Sequence, residues 1–418
     1  MAAQFANATN QIAALKELYE GGDYMKDLVY KKNPLLALIP KNEAPAGFAG
    51  KYIPVPTVFA TPQGRSATFS NAQLQQTAPG LASFFVYRVS NYQLASITNE
   101  LLEATKEDAG AFVDEAKLVM DTAIRNITND LAADLYKSGT GSRAQISSAG
   151  MTTGATPACS FVVADLSQIA QIENGMLLVA SASDGGAVSA DTVLVTGVNR
   201  STGVVSGTSS TAASSSLSGN WAASSYVLVS GDQVVSSVMQ KVSGLAAWIG
   251  TSVFWGVDRS QDSRLSMMDF DFSDRPIEEA LIDLAAQINL NGGAPDMAFV
   301  NFSTYAAIEK ALGSKVQYVD VKHDEVDIAF SAIRLHSAYG PISVVADRNC
   351  PAKTVFMLQM DTLCFRSLGK APHVLTYGLE GLEGLRVGNA DALEIRIGYY
   401  GNLISNAPIW NGRAKLNA

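Results

Sequence analysis

The chain has 418 residues, 47% hydrophobic and 17% charged, enough to bury the cores of two or three domains. Its formal net charge of −9, with no Lys/Arg cluster, excludes a dedicated nucleic-acid reader, whose phosphate contacts need a basic face. No run approaches the ~20 apolar residues of a membrane span, and MAAQFANATN lacks the basic and apolar regions of a signal peptide, so the chain is expected to stay in the cytoplasm where it is made.

Residues 1–49 read as an arm. Ile12, Leu15, Leu18 and Tyr19 give a short helical pattern that Gly21 and Gly22 end. Pro34 and Pro40 then bracket Leu35, Leu36, Leu38 and Ile39, a patch too short and interrupted to form a core by itself. It is expected to lie against another copy of the chain. Residues 50–93 have strand-like ends around a polar middle, with no helix signal. Such a length of loop is uncommon inside a compact domain, and an isolated two-stranded ribbon is marginal in water. This loop is therefore also expected to complete its burial on a neighbour, with Arg65, Phe69 and Leu74 as contact residues at the tip.

In the next segment, 94–157, apolar residues fall at Phe112, Val113, Ala116, Val119, Met120, Ala123, Ile124, Ile127, Leu131 and Leu135. These are the three- and four-residue steps of one helix face, and they predict a single amphipathic helix over 106–137. At ~1.5 Å per residue it is a strut roughly 45 to 50 Å long. Gly139 and Gly141 supply its stop.

Across 158–232 Ser, Gly, Ala, Thr and Val dominate, and Arg200 is the sole Lys or Arg. Short β-branched runs alternate with DGG, NRSTG and SGN turn signals, which predicts an inserted small all-β domain. An α/β pattern follows over 233–375, with a helix at PIEEALIDLAAQINLNGG, the strand MAFVN and a helix at FSTYAAIEKALG. The last part, 376–418, carries returning strands, chiefly ADALEIRIGYYGNLISN. The fold class is α+β.

Chemistry is hard to find. Gly139, Gly141 and Ala144 match a GxGxxA fingerprint, but a helix precedes it and a Ser/Thr-rich coil follows, where a strand and then a helix are required. His323, His336 and His373 lack metal-ligand spacing. Glu278 and Glu279, and Asp324, Glu325 and Asp327, read as solvated faces. Cys159, Cys350 and Cys364 lie far apart without CxxC spacing and read as inert reduced thiols. No catalytic, cofactor or metal site is expected.

The succession of segments resembles the major capsid proteins of tailed double-stranded-DNA bacteriophages, the Hong Kong 97-type capsid fold. The resemblance is carried by SLGKAPHVL at 367–375, ADALEIRIGYYGNL at 390–403, AWIGTSVFWGVDRSQDSRL at 247–265, IEEALIDLAAQINLNGGAPDMAFVN and GSKVQYVDVK. It implies an N-terminal arm, an extended β-ribbon loop, a long spine helix, peripheral and axial domains, and the extra β-domain that some such proteins carry. It also implies a structural protein that self-assembles as pentamers and hexamers into an icosahedral virion shell, put together in the bacterial host cytoplasm. Expected partners are further copies of itself, portal and scaffolding proteins, cement or decoration proteins, and packaged DNA touched without sequence preference. The arm, where Lys16, Lys26, Lys31, Lys32, Lys41 and Lys51 roughly balance the acids, is expected nearest the genome. An encapsulin-type nanocompartment is the alternative on the same fold, and a soluble enzyme with an unrecognised site the alternative outside it. Some family members join subunits through a lysine on the extended loop; from Tyr52 to Leu94 this chain has Arg65 and Arg88 but no lysine.

Overall fold

A computed structural model describes residues 32–43, 50, 52–98, 109–153, 158–210, 221–312, 318–323, 326–375, 385–386 and 391–417. The helical pattern expected over 12–19, the arm lysines before residue 32 and the expected start of the long helix at Lys106 lie outside them. The chain divides into two units, one of 1–32, 90–130 and 368–400, the other of 33–89, 131–367 and 401–418.

In the first unit the long helix, Ala109–Asp134, runs as one element to residue 130 and beyond it. The strand Val89–Thr98 is tied to it by side-chain amides. Asn91 donates to Asp130 Oδ2 at 2.7 Å, and Asn126 donates to Gln93 Oε1 at 3.2 Å. The strand Ala392–Ser405 takes His373–Val374 and Leu385–Arg386 as antiparallel neighbours. Tyr92 and Tyr400 meet edge to face, 5.9 Å between ring centres.

The second unit contains an α/β domain, a barrel and a ribbon. Seven strands form the domain's sheet, in the order 268–272, 412–416, 354–358, 297–300, 340–346, 326–337 and 318–323. The helices Ile277–Leu290 and Phe302–Leu312 cover it, close to the expected positions. Met297–Val300 is buried at all four positions because helix and neighbouring strands cover it, so it reads as a continuous apolar run and not as an alternation. Ala280, Leu281, Leu284 and Ile288 of the first helix pack on Val300, Val344, Met357 and Ala414. Elsewhere in this unit Leu363–Ser367 pairs with 401–405 on one side and, in parallel, with Lys41–Glu43 on the other.

The inserted β-domain is a closed six-stranded barrel. Phe161, Trp221, Val193, Val205 and Val227 fill its interior, so it is a packed core and not a ligand cup. It begins earlier than the 158 expected from sequence: Ser142–Thr153, expected as coil, is a barrel strand paired with Ala158–Val163 and Tyr226–Val229. Ser148 and Thr152 are exposed on this strand, and a strand so rich in hydroxyl residues has a composition that does not distinguish it from coil. The fingerprint at Gly139–Ala144 is thereby the turn from helix into barrel, with Gly139 and Gly141 at φ +85° and +83°.

Candidate assembly surface

The ribbon is built from Tyr52–Ala60 and Gly80–Tyr87, paired antiparallel from Tyr52 opposite Tyr87 to Ala60 opposite Gly80. Pro54 and Pro56 are tolerated because each strand of a two-stranded ribbon is an edge. Its base is locked to its own unit. Ile53, Val55, Phe84 and Val86 are buried, and Phe84 meets Trp248 edge to face at 5.2 Å between ring centres. Trp248 in turn packs on Phe254 and Trp255, each 5.3 Å away. The Phe85 amide donates to the Trp255 carbonyl at 3.0 Å, and Asn402 Nδ2 donates to the Tyr87 carbonyl at 2.9 Å.

The alternation of buried and exposed positions fails beyond Pro56, and Val58 and its partner Leu81 are both exposed. The tip closes where the Gln63 amide donates to Thr77 Oγ1 at 2.9 Å and the Thr77 amide donates to the Gln63 carbonyl at 3.1 Å. Between them the structure differs from expectation, for Phe69–Leu74 forms a short helix that buries none of its residues. Two apolar side chains in six give too weak a period to announce a helix. Arg65, Phe69 and Leu74 all stand on this tip in solvent, the last two at 82% and 84% exposure. From Thr61 to Pro79 Arg65 is the one charged side chain. The tip therefore carries almost no charge, as the centre of a buried interface does, and its amides and hydroxyls would need hydrogen-bond partners there.

Leu35, Leu36 and Leu38 are a correction. They lie on the short helix Pro34–Leu38 and are buried at 1%, 5% and 7% exposure within their own unit, so the patch needs no second copy. The Leu35 amide donates to Asp347 Oδ2 at 3.3 Å, and that same oxygen accepts from the Tyr136 hydroxyl at 2.9 Å. Asp347 Oδ1 accepts from the Asn349 amide at 2.9 Å. Burial pushes the Asp347 carboxyl above the usual aspartate range, against the pull of these hydrogen bonds. Pro34 and Pro40 hid this from the sequence, since what covers the patch comes from more than three hundred residues away.

A second charged cluster sits where the helix meets the barrel. Asp134 and Arg143, both almost fully buried, approach to 3.9 Å; Lys241 lies 3.5 Å from Asp134 and 3.2 Å from Asp232, and Arg143 lies 3.3 Å from Asp232. Two cations and two carboxylates thus neutralise one another out of water, which fixes geometry more than it adds stability. Sequence reading missed this cluster because its members are spread over more than a hundred residues.

Burial raises the thiols of Cys159, Cys350 and Cys364, which favours their protonated form. His373 sets its Nδ1 on the Lys370 carbonyl. Among the described residues no group of three or more His, Cys, Asp or Glu is placed to hold a metal, and no helix is long and apolar enough to cross a membrane.

Residues 224–377 match the family model of the SU10 major capsid protein. No curated protein sequence matches the chain. Among solved structures, the capsid asymmetric unit of cyanophage A-1(L) superposes with a TM-score of 0.54 at 11% identity, covering 95% of this chain and 96% of that one. The fold is that of a phage capsid protein. Looser likenesses are to the capsid of a native GTA particle, TM-score 0.45 at 10% identity over 95% and 94% of the two chains. The SrpI encapsulin of Synechococcus elongatus PCC 7942 gives 0.44 at 8% identity over 97% and 94%.

Proposed function

We infer that the chain is a major capsid protein of the tailed-phage type, many copies of which close an icosahedral shell around double-stranded DNA. One observation carries the reading beyond the family match: a ribbon with a locked base ends in a tip whose Phe69 and Leu74 are more than four-fifths exposed. An isolated subunit gains nothing from such a tip, whereas a neighbour that covers it gains two large apolar contacts. The subunit would therefore reach across to the next copy through Arg65, Phe69 and Leu74, within pentamers and hexamers. Portal, scaffolding and decoration proteins would complete the particle, which would form in the bacterial host cytoplasm. DNA contact would be sequence-independent and salt-sensitive, as a chain of net charge −9 offers scattered cations and no basic face.

Expression of the chain followed by negative-stain imaging and nucleic-acid extraction tests this. Closed shells, loaded with double-stranded DNA when the chain is produced in a phage infection, are the expected outcome. Shells holding a protein cargo would favour the encapsulin reading, and small monodisperse oligomers with a measurable turnover would favour an enzyme.

A further inference from the structure

The helix Ile277–Leu290 packs on the sheet through Ala280, Leu281, Leu284 and Ile288, and the opposite face of such a helix is ordinarily polar. Here Ile282 and Leu290 stand in solvent at 61% and 79% exposure, with Ala286 exposed between them. Together with Glu279 they recur at three- and four-residue steps, so the four line one outward stripe. Asn289 Nδ2 donates to Ser337 Oγ at 2.6 Å, which holds the turn bearing the exposed Tyr339 beside the end of the helix. The helix carries the carboxylates of Glu278, Glu279 and Asp283 and no cation. Arg275 pairs with Asp283 at 2.5 Å, while Glu278 and Glu279 enter no ion pair among the described residues.

The ribbon tip has the complementary composition. Phe69 and Leu74 are exposed, Arg65 is the one charge from Thr61 to Pro79, and that guanidinium has no partner among the described residues. We propose that the tip of one copy seats on the outward stripe of this helix in a neighbouring copy, with Phe69 and Leu74 over Ile282, Ala286 and Leu290 and with Arg65 against Glu279. This rests on the reading of the tip as a contact between copies, and it names the surface that receives the tip. Both surfaces are bare within the single subunit, so the contact is made between subunits. Apolar burial drives it, and the opposite charges orient it, since a like charge in the same place is costly.

Shells are assembled from full-length chain, and their closure is followed by sedimentation and electron microscopy. Arg65→Glu and Glu279→Arg should each lower the yield of closed shells at least tenfold, and the two combined in one chain should restore it. In a second measurement, shells built from mixed heavy-isotope-labelled and unlabelled chains carry Leu290→p-benzoylphenylalanine, and the irradiated product is mapped by mass spectrometry. Mixed-label links from this probe to residues 61–77 are expected. Links to any other segment, to a different protein or to nothing overturn the proposal, as does a double charge variant no better than the single ones. Melting of the isolated subunits checks that the variants are folded. If the charge variants are not, the cross-link decides; if the probe blocks closure, the charge exchange decides. Shells lost in Phe69→Ser with Leu74→Ser, but with links elsewhere, remove the helix and leave the tip reading standing. Normal shells from that variant remove both.

Discussion

The carbonyl of Asp232 lies so close to Gly141 that a Cβ on the glycine would come within 2.2 Å of it. These two residues are the chain's way into the barrel and its way out, so the whole barrel enters and leaves the subunit at one point. Removing 142–231 and rejoining the ends should leave a subunit that folds, as measured by circular dichroism and size-exclusion chromatography, but with lower stability, because Arg143 leaves with the barrel and Lys241 alone then faces Asp134 and Asp232. Removing only 161–231 should give aggregated chain, because Ser142–Thr153 loses Tyr226–Val229 entirely and half of Ala158–Val163. Gly141→Ala should destabilise the subunit by ~1–3 kcal/mol from its left-handed backbone alone, before the contact with Asp232 is counted.

The tip residues should separate folding from assembly. Phe69→Ser with Leu74→Ser removes two solvent-exposed side chains, so the melting of the isolated subunit should shift by no more than about 0.5 kcal/mol in stability. Shell closure, followed by sedimentation and electron microscopy, should be lost. Normal shells from the double variant would remove the tip from the interface.

The ribbon base should behave in the opposite way. Trp248 is fully buried against Phe84, Phe254 and Trp255, so Trp248→Ala should cost about 3–5 kcal/mol of subunit stability by chemical denaturation. Its indole Nε1 makes no hydrogen bond, so Trp248→Phe should cost much less, being a loss of volume without a lost polar partner.

The elements legible in the sequence are those whose signal is periodic and local. The helix expected over 106–137 is observed as Ala109–Asp134, and the helix begun by Pro276 as Ile277–Leu290, because each carries an unbroken apolar stripe. The ribbon was legible from its apolar ends, but the short helix Phe69–Leu74 at its tip was not. The burial of Leu35, Leu36 and Leu38 was not, since it depends on Asp347 and Tyr136, which no local pattern connects to them. The first barrel strand was hidden because a strand rich in hydroxyl residues has the composition of a loop.

Covalent locking of the shell should be absent. An isopeptide bond needs an amine nucleophile on the ribbon, and 52–94 offers only the guanidinium groups of Arg65 and Arg88, which stay protonated. Mature particles boiled in detergent and reducing agent should release one band at 44.1 kDa. A ladder of covalent oligomers would show that a lysine outside the ribbon does this work.

The stability of the subunit should also depend on pH through Asp347. Its carboxyl sits above the usual aspartate range, chiefly because burial disfavours the charged form, so the folded chain holds this proton more tightly than the unfolded chain. Stability from this group is full below the unfolded value and is lost as pH rises through the folded one. Asp296, also raised chiefly by burial, adds a slope of the same sign. Asp347→Asn abolishes the titration but turns an amide N–H toward one of the three donors from Leu35, Tyr136 and Asn349, a mismatch that costs about 1–3 kcal/mol at every pH. The informative quantity is accordingly the slope of unfolding free energy against pH, not its level. Urea melts taken across the interval between the ordinary aspartate value and Asp347's raised one should show the wild type weakening as pH rises. The variant should lose the part of that slope due to Asp347, and an unchanged slope would mean that Asp347 is already ionised throughout, held so by its hydrogen-bond donors.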